Sequence, residues 1–151
     1  MTAQGENLLA WTTAAITRRE QLAFDALSHG RAGRWIANGA TVEIAPELVG
    51  PKDDAFEQTV AFNEGAPTEE QAEHIAANDP ESVLRRCTAD RKLLALHGGV
   101  AHHCPVFDDD GGHDAWVAFY DHETCPVIEL LAEGYGFAAG QTSPSKGDQV
   151  T

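Results

Sequence analysis

Basic residues are scarce in this sequence. It has ten Lys and Arg against 24 Asp and Glu, which gives a formal net charge of −14 at pH 7. Such a surface repels phosphate backbones, so we expect no direct binding to nucleic acid. Acidity of this kind favours solubility, and it also steers a protein toward basic partners.

Long apolar runs and a secretory leader pattern are missing as well. No stretch approaches the ~20 residues of a membrane-spanning helix, and the start "MTAQGENLLAWTT" has neither a basic segment nor a continuous apolar one. We therefore expect no membrane association and a cytoplasmic location. Cysteine is rare: three cysteines, an odd number, argue against a disulfide framework and favour metal ligands or buried thiols.

The common catalytic motifs do not occur either. There is no H-E-x-x-H, G-x-S-x-G, P-loop or G-x-G-x-x-G. The acidic run "DDDGGHD" fails the calcium-loop pattern, because its fifth and sixth positions counted from Asp108 are Gly112 and His113. Cys104 beside a histidine could form a nucleophile and base, but adjacency in sequence fixes no orientation. These absences favour a binding protein over an enzyme.

Periodicity in the first part of the chain predicts a helix and then a small sheet. Over residues 6–28, apolar side chains recur at helical spacing. Residues 33–62 alternate between polar and apolar around Asn38-Gly39, which predicts an antiparallel β-meander of three strands. The helix carries a heptad stripe that could seat a second copy, so a homodimer through this helix is an alternative.

Two central helices are predicted next. Thr68 and Gln71 have the spacing of a capping box at the start of the first. Asp79 is the expected N-cap of the second, with Pro80 at its first helical position and Gly98 just after its end. Both starts use local side-chain chemistry that depends little on the rest of the fold.

The C-terminal part reads as a loop followed by a short helix. Residues 100–124 are loop-like, with one apolar run, "AWVAFY", that could form a strand. Cys125-Pro126 opens the last helix, and residues 139–151 lack apolar periodicity, so a disordered tail is expected there. We predict one α+β domain over residues 1–138. Three aromatic residues are expected in its core: Trp11, Trp35 and Trp116.

Histidine and cysteine cluster in one segment. Five of the seven histidines and two of the three cysteines fall between Leu96 and Ile128. Cys and neutral His are the ligands of structural zinc, and a metal would hold a loop with little core of its own. The predicted ligands are His97, His103, Cys104 and Cys125, with His102, His113 and His122 as alternatives for the fourth position. Cys87 lies in the apolar stripe of its helix and is expected to be a buried thiol.

Three segments together resemble a known family. "RAGRWIA", "AEHIAANDPESVLRRCTADRKLLALH" and "CPVIELLA" are similar to an uncharacterised family of small actinobacterial and actinophage proteins. Its members carry a helix, a GPW-like turn, "HIARHDPxxVLREVEAKRRIL", a Cys-bearing loop and "CPTLRLLA". The resemblance implies a small α+β protein from a phage or an actinobacterium. Many members have C-x-x-C in the loop, whereas this chain has "AHHC", with Ala101 where the first cysteine would fall.

Together these patterns predict a non-enzymatic accessory protein that binds another protein of the host or of a phage, with zinc stapling its fold. If it is phage-encoded, it would act in the host cytoplasm. Two alternatives remain. One is a small zinc-dependent hydrolase that uses the same ligands with one position open. The other is an acidic nucleic-acid mimic that inhibits a host enzyme, suggested by the many acids in residues 43–81.

Overall fold

A computed structural model describes residues 3–27, 33–50, 59–61, 67–107, 110, 112–120 and 123–137, and the fold is α+β as the sequence predicted. The side chains of these residues are described from Leu8 onward, except at position 107. The elements in chain order are α1 (Ala3–Leu27), β1 (Trp35–Asn38), β2 (Thr41–Ile44), β3 (Thr59–Ala61), α2 (Glu69–Ala77), α3 (Pro80–His97), β4 (His102–Phe107), β5 (His113–Phe119) and α4 (Pro126–Gly134). A 3-10 turn lies at Pro46–Leu48.

Contacts group the chain into two compact units. The terminal unit comprises residues 1–18 and 88–151, and the central unit comprises residues 19–87. One domain over residues 1–138 stays a prediction, and the expected disordered tail at 139–151 lies outside the described residues. Within the described part of the chain, no helix is long and apolar enough to cross a membrane.

The central unit is built on the predicted antiparallel meander. The strand order is β1-β2-β3, and Asn38 pairs with Thr41. That register makes Gly39-Ala40 the two-residue turn, one position later than the Asn38-Gly39 turn expected from the sequence. Gly39 has a φ of +55°, a conformation that glycine adopts at little cost. Helix α2 packs against β1 and β2.

Side-chain caps fix both helix starts of the central unit. Thr68 and Gln71 form the predicted capping box at α2. The buried Asp79 carboxylate accepts the Ser82 N–H at 2.6 Å, as an N-cap of α3 should, and also accepts the Trp35 N–H at 3.2 Å. Asp79 therefore ties the start of β1 to the start of α3.

The terminal unit contains a hairpin where a loop was expected. The strand prediction for the apolar run is confirmed by β5, but the loop prediction was wrong for residues 102–107, which form β4. The two strands pair antiparallel, with Cys104 opposite Val117. Pro105 and the run of histidines masked this strand, because neither is typical of strand interiors.

The core of the terminal unit combines aliphatic, aromatic and thiol side chains. Its buried residues are Leu8, Trp11, Ala15, Cys104, Cys125, Ile128 and Ala132. Trp11 meets Phe137 edge-to-face, with ring centroids 5.1 Å apart. The expectation of a core position is confirmed for Trp11 but wrong for Trp116, whose side chain is 65 % exposed on β5.

Candidate metal centre

His97 is placed by a tight turn at the end of α3. The Gly98 N–H donates to the Leu94 carbonyl at 2.7 Å, and Gly99 follows with a φ of +82°. A Cβ atom on Gly98 would lie 2.7 Å from Leu9 Cδ2 and 2.8 Å from the Leu94 oxygen. Because no side chain fits there, this glycine lets the helix end against α1 with His97 in its last turn.

The two cysteines come from other elements of the same unit. Cys104 lies on β4 and is 1 % exposed, and Cys125 is the N-cap of α4 and fully buried. Pro126 occupies the first turn of α4, as predicted, and the Cys125 side chain makes no capping hydrogen bond. The Cys125 thiol is thus available to the histidines instead of to the helix.

His102 is held in one ring orientation by its backbone neighbour. Its Nδ1 lies 2.6 Å from the Val100 carbonyl oxygen, which can only accept a proton, so Nδ1 donates and Nε2 carries the lone pair. Nε2 is buried and has no hydrogen-bond partner in the described part of the chain. The ring stacks on Phe119, and it meets the His97 ring edge-to-face at 4.9 Å. A histidine anchored in this way is typical of a metal ligand, whose other nitrogen is usually hydrogen-bonded.

The four side chains converge closely enough to hold one ion. Potential ligand atoms of His97, His102, Cys104 and Cys125 all lie within 4.8 Å of one another. The His97 Nδ1 lies 3.2 Å from Cys104 Sγ and 3.6 Å from Cys125 Sγ. Tetrahedral zinc with ordinary bond lengths would separate sulfur and nitrogen ligands by about 3.5 Å. These two separations therefore agree with a tetrahedral site.

Three of the four predicted ligands lie together, namely His97, Cys104 and Cys125. His102, one of the predicted alternatives, lies with them. His103, the preferred fourth ligand from the sequence, is exposed and lies outside this group. The reason is strand alternation: Cys104 faces the core, so His102, two residues earlier, shares its face and His103 points away. His113 is exposed at the start of β5, and His122 lies outside the described residues.

Burial sets the protonation of the metal-free cluster. It lowers the pKa of His97, with a further contribution from the charge of His102. It also raises the pKa of the Cys104 thiol to about 11, with further contributions from the hydrogen bond to Cys125 and from its charge. At neutral pH, Cys104 is therefore a thiol and His97 is neutral. Zinc binding would displace thiol protons, because only the thiolate is a zinc ligand.

Cys87 takes no part in this centre. It lies on α3 in the central unit, is fully buried, and thus confirms the prediction of a buried thiol.

The acidic residues between positions 43 and 81 are described only in part, since residues 51–58 and 62–66 lie outside the described ranges.

Comparison with known proteins assigns the chain to a family. A family model for proteins of unknown function matches residues 5–136. The chain belongs to the DUF6221 family. The DUF6221 match contains all four residues of the candidate metal centre, as well as Trp35 and Asp79. No curated protein and no solved structure matches the chain.

Proposed function

We propose that His97, His102, Cys104 and Cys125 bind one zinc ion, and that the protein is a zinc-stapled binding protein and not an enzyme. The observation that carries the proposal is the convergence of two thiols and two imidazoles from three separate elements within 4.8 Å. The Nε2 of His102 supports it, since this atom is buried and has no partner among the described residues, and such an atom is costly unless a ligand satisfies it.

The chemistry of the ligands favours zinc over other common metals. Calcium and magnesium take oxygen ligands, and no carboxylate belongs to this group. Two sulfur and two nitrogen atoms in tetrahedral geometry are typical of zinc. Loss of the thiol protons on binding would give a neutral site, since two thiolates balance the charge of the ion.

The number of ligands favours a structural role. A catalytic zinc has three protein ligands and keeps the fourth position open for water or substrate. Here four side chains can fill the tetrahedron, and both cysteines are buried. A closed site leaves no position at which the metal could activate water.

A structural zinc ion would stabilise the hairpin of the terminal unit. An isolated two-stranded hairpin is only marginally stable in water, and β4 and β5 form a sheet of their own. Zinc would join the end of α3, the inner face of β4 and the start of α4 at one point. The rigid hairpin that results would serve to display side chains to a protein partner of the host or of a phage.

Elemental analysis of the untagged protein tests the metal. We expect about one zinc per chain and a fall in melting temperature when a strong chelator is added. The matched variants His102→Ala and His103→Ala decide the fourth ligand, since the two residues are adjacent on β4 but face opposite sides. Zinc content and tetrahedral cobalt spectra should change in the first variant and stay normal in the second.

Two results would contradict the proposal. Protein without stoichiometric zinc, and with a melting temperature indifferent to chelator, would rule out the staple. A zinc site with three protein ligands and a bound water would instead point to catalysis.

A further inference from the structure

The outer face of the β4–β5 hairpin exposes aromatic side chains. Trp116 on β5 is 65 % exposed, and Tyr120, one residue past the strand, is 59 % exposed. His113 lies beside Trp116, with ring centroids 6.0 Å apart. Contiguous exposed apolar surface marks interaction sites, and Trp and Tyr are enriched among the residues that dominate binding interfaces.

Strand register explains why these side chains face outward. Cys104 pairs with Val117 and His102 with Phe119, which places these pairs on the face of the buried Cys104, although Val117 itself is 39 % exposed. The adjacent pairs, Pro105 with Trp116 and His103 with Ala118, are therefore on the opposite face. The metal centre and the aromatic surface thus occupy opposite faces of the same hairpin, and the metal can hold one face while the other meets a partner.

The hairpin forms a sheet of two strands in the described part of the chain. Among the described residues its sheet consists of β4 and β5 alone, so each strand pairs on one side only. The other side of such a strand offers alternating N–H and C=O groups to an extended chain, which is the basis of binding by strand addition.

The sequence that contains the hairpin is acidic, which favours a basic partner. The sequence has no Lys or Arg between Lys92 and Lys146. Within that interval it has eight acidic residues: Asp108, Asp109, Asp110, Asp114, Asp121, Glu123, Glu129 and Glu133. Asp114, two residues before Trp116, is exposed. An acidic segment of this length attracts a basic chain and repels a second copy of a protein that carries a net charge of −14.

We infer that the outer face of the β4–β5 hairpin, centred on Trp116 and Tyr120, is a docking surface for an extended, Lys- and Arg-rich segment of a partner protein. This inference rests on the proposed binding function and adds the surface and the chemistry of the partner. Basic side chains can pack over Trp116 by cation–π interaction and pair with the exposed Asp114 carboxylate, while the backbone of the segment adds to a strand edge.

Selection from a random library of displayed 12-residue peptides tests the surface. Zinc-loaded protein is the bait, and the variant Trp116→Ala is screened in parallel. We expect enrichment of Lys- and Arg-rich sequences on the wild type and none on the variant. For the leading peptide, Trp116→Ala should raise Kd at least tenfold, and raising the salt concentration should also weaken binding.

The control variant is Leu130→Ala, because Leu130 is as exposed as Trp116 but lies on α4. It should leave Kd unchanged. Both variants should keep about one zinc, so a failure of docking is distinguishable from a failure of the metal site. No enrichment, enrichment of acidic peptides, or equal binding by Trp116→Ala would overturn the inference. So would a dimer in sedimentation that Trp116→Ala dissociates, since a second copy would then occupy the surface.

Discussion

Different interactions stabilise each of the two units of this chain. The central unit has a three-stranded meander, a helix packed on it, and helix caps that satisfy the backbone locally. The terminal unit has a two-stranded hairpin, and its core includes two thiols that contact an imidazole. The central unit relies on local hydrogen bonds and on packing of a helix against a sheet, whereas the core of the terminal unit contains thiol groups at positions where aliphatic side chains could pack.

The proposed zinc site accounts for this difference, because its cysteines occupy core positions that aliphatic side chains could otherwise fill. Cys104 and Cys125 are among the most buried residues of the protein. A thiol fills less space than Leu or Ile and adds little to an apolar core. Under the proposed function, the two thiols lie beside two histidines because a bound metal contributes the stability that aliphatic packing would otherwise provide. The predictions below separate the two units by asking which variants respond to zinc.

The largest effect is expected for Cys125→Ser in the terminal unit. Loss of a zinc ligand should remove about 3–4 kcal/mol of stability when free zinc exceeds Kd roughly 100- to 1,000-fold. Chemical unfolding with and without chelator measures this: the variant should no longer respond to chelator. Cys87→Ser in the central unit is the control, because it should lose packing only and keep its zinc. A Cys125→Ser protein that retains one zinc would show that Cys125 is not a zinc ligand.

A smaller loss is expected for Asp79→Ala in the central unit. The substitution removes the acceptor of both the Ser82 and the Trp35 N–H groups, so two backbone donors lose their partner. The cost should be about 2–3 kcal/mol in urea unfolding. Asp79→Asn keeps one carbonyl acceptor and should recover part of it. Zinc content should stay normal in both variants, and a loss of zinc would show that the units are not independent.

Gly98→Ala tests the turn that positions His97. Its Cβ atom would collide with the Leu94 carbonyl oxygen, and we expect a loss of about 1–3 kcal/mol together with weaker zinc binding. Gly134→Ala is the matched control in α4, where a Cβ atom meets nothing within 4 Å. Competition with a zinc-binding dye measures the affinity. Unchanged affinity in Gly98→Ala would mean that the turn does not position the ligand.

The smallest effect is expected for Thr68→Ala. It removes the hydroxyl that accepts the Gln71 N–H in the capping box of α2, which should cost about 1 kcal/mol. Thr68→Ser retains the hydroxyl and should lie close to the wild type in the same thermal scan. A chelator shift as large as that of the wild type is expected in both, since the cap lies in the central unit.

The elements that could be predicted are those with local causes. The starts of α2, α3 and α4 follow from Thr68, Asp79 and the Cys125-Pro126 pair, and all three are confirmed. The meander is also confirmed, because alternation and a glycine turn act within a few residues. Three metal-centre residues, His97, Cys104 and Cys125, were named from residue type and their places at element ends.

The sequence by itself determined the helices, the meander, the acidic character and the kinds of side chain that meet in the His/Cys cluster. Tertiary structure decided which histidine joins them and where Trp116 points. Both depend on β4, which pairs with β5. The sequence of β4 does not predict a strand, because it contains a proline and two histidines. Because alternate residues of a strand face opposite sides, that pairing placed His102 beside the thiols and left His103 and Trp116 on the outer face.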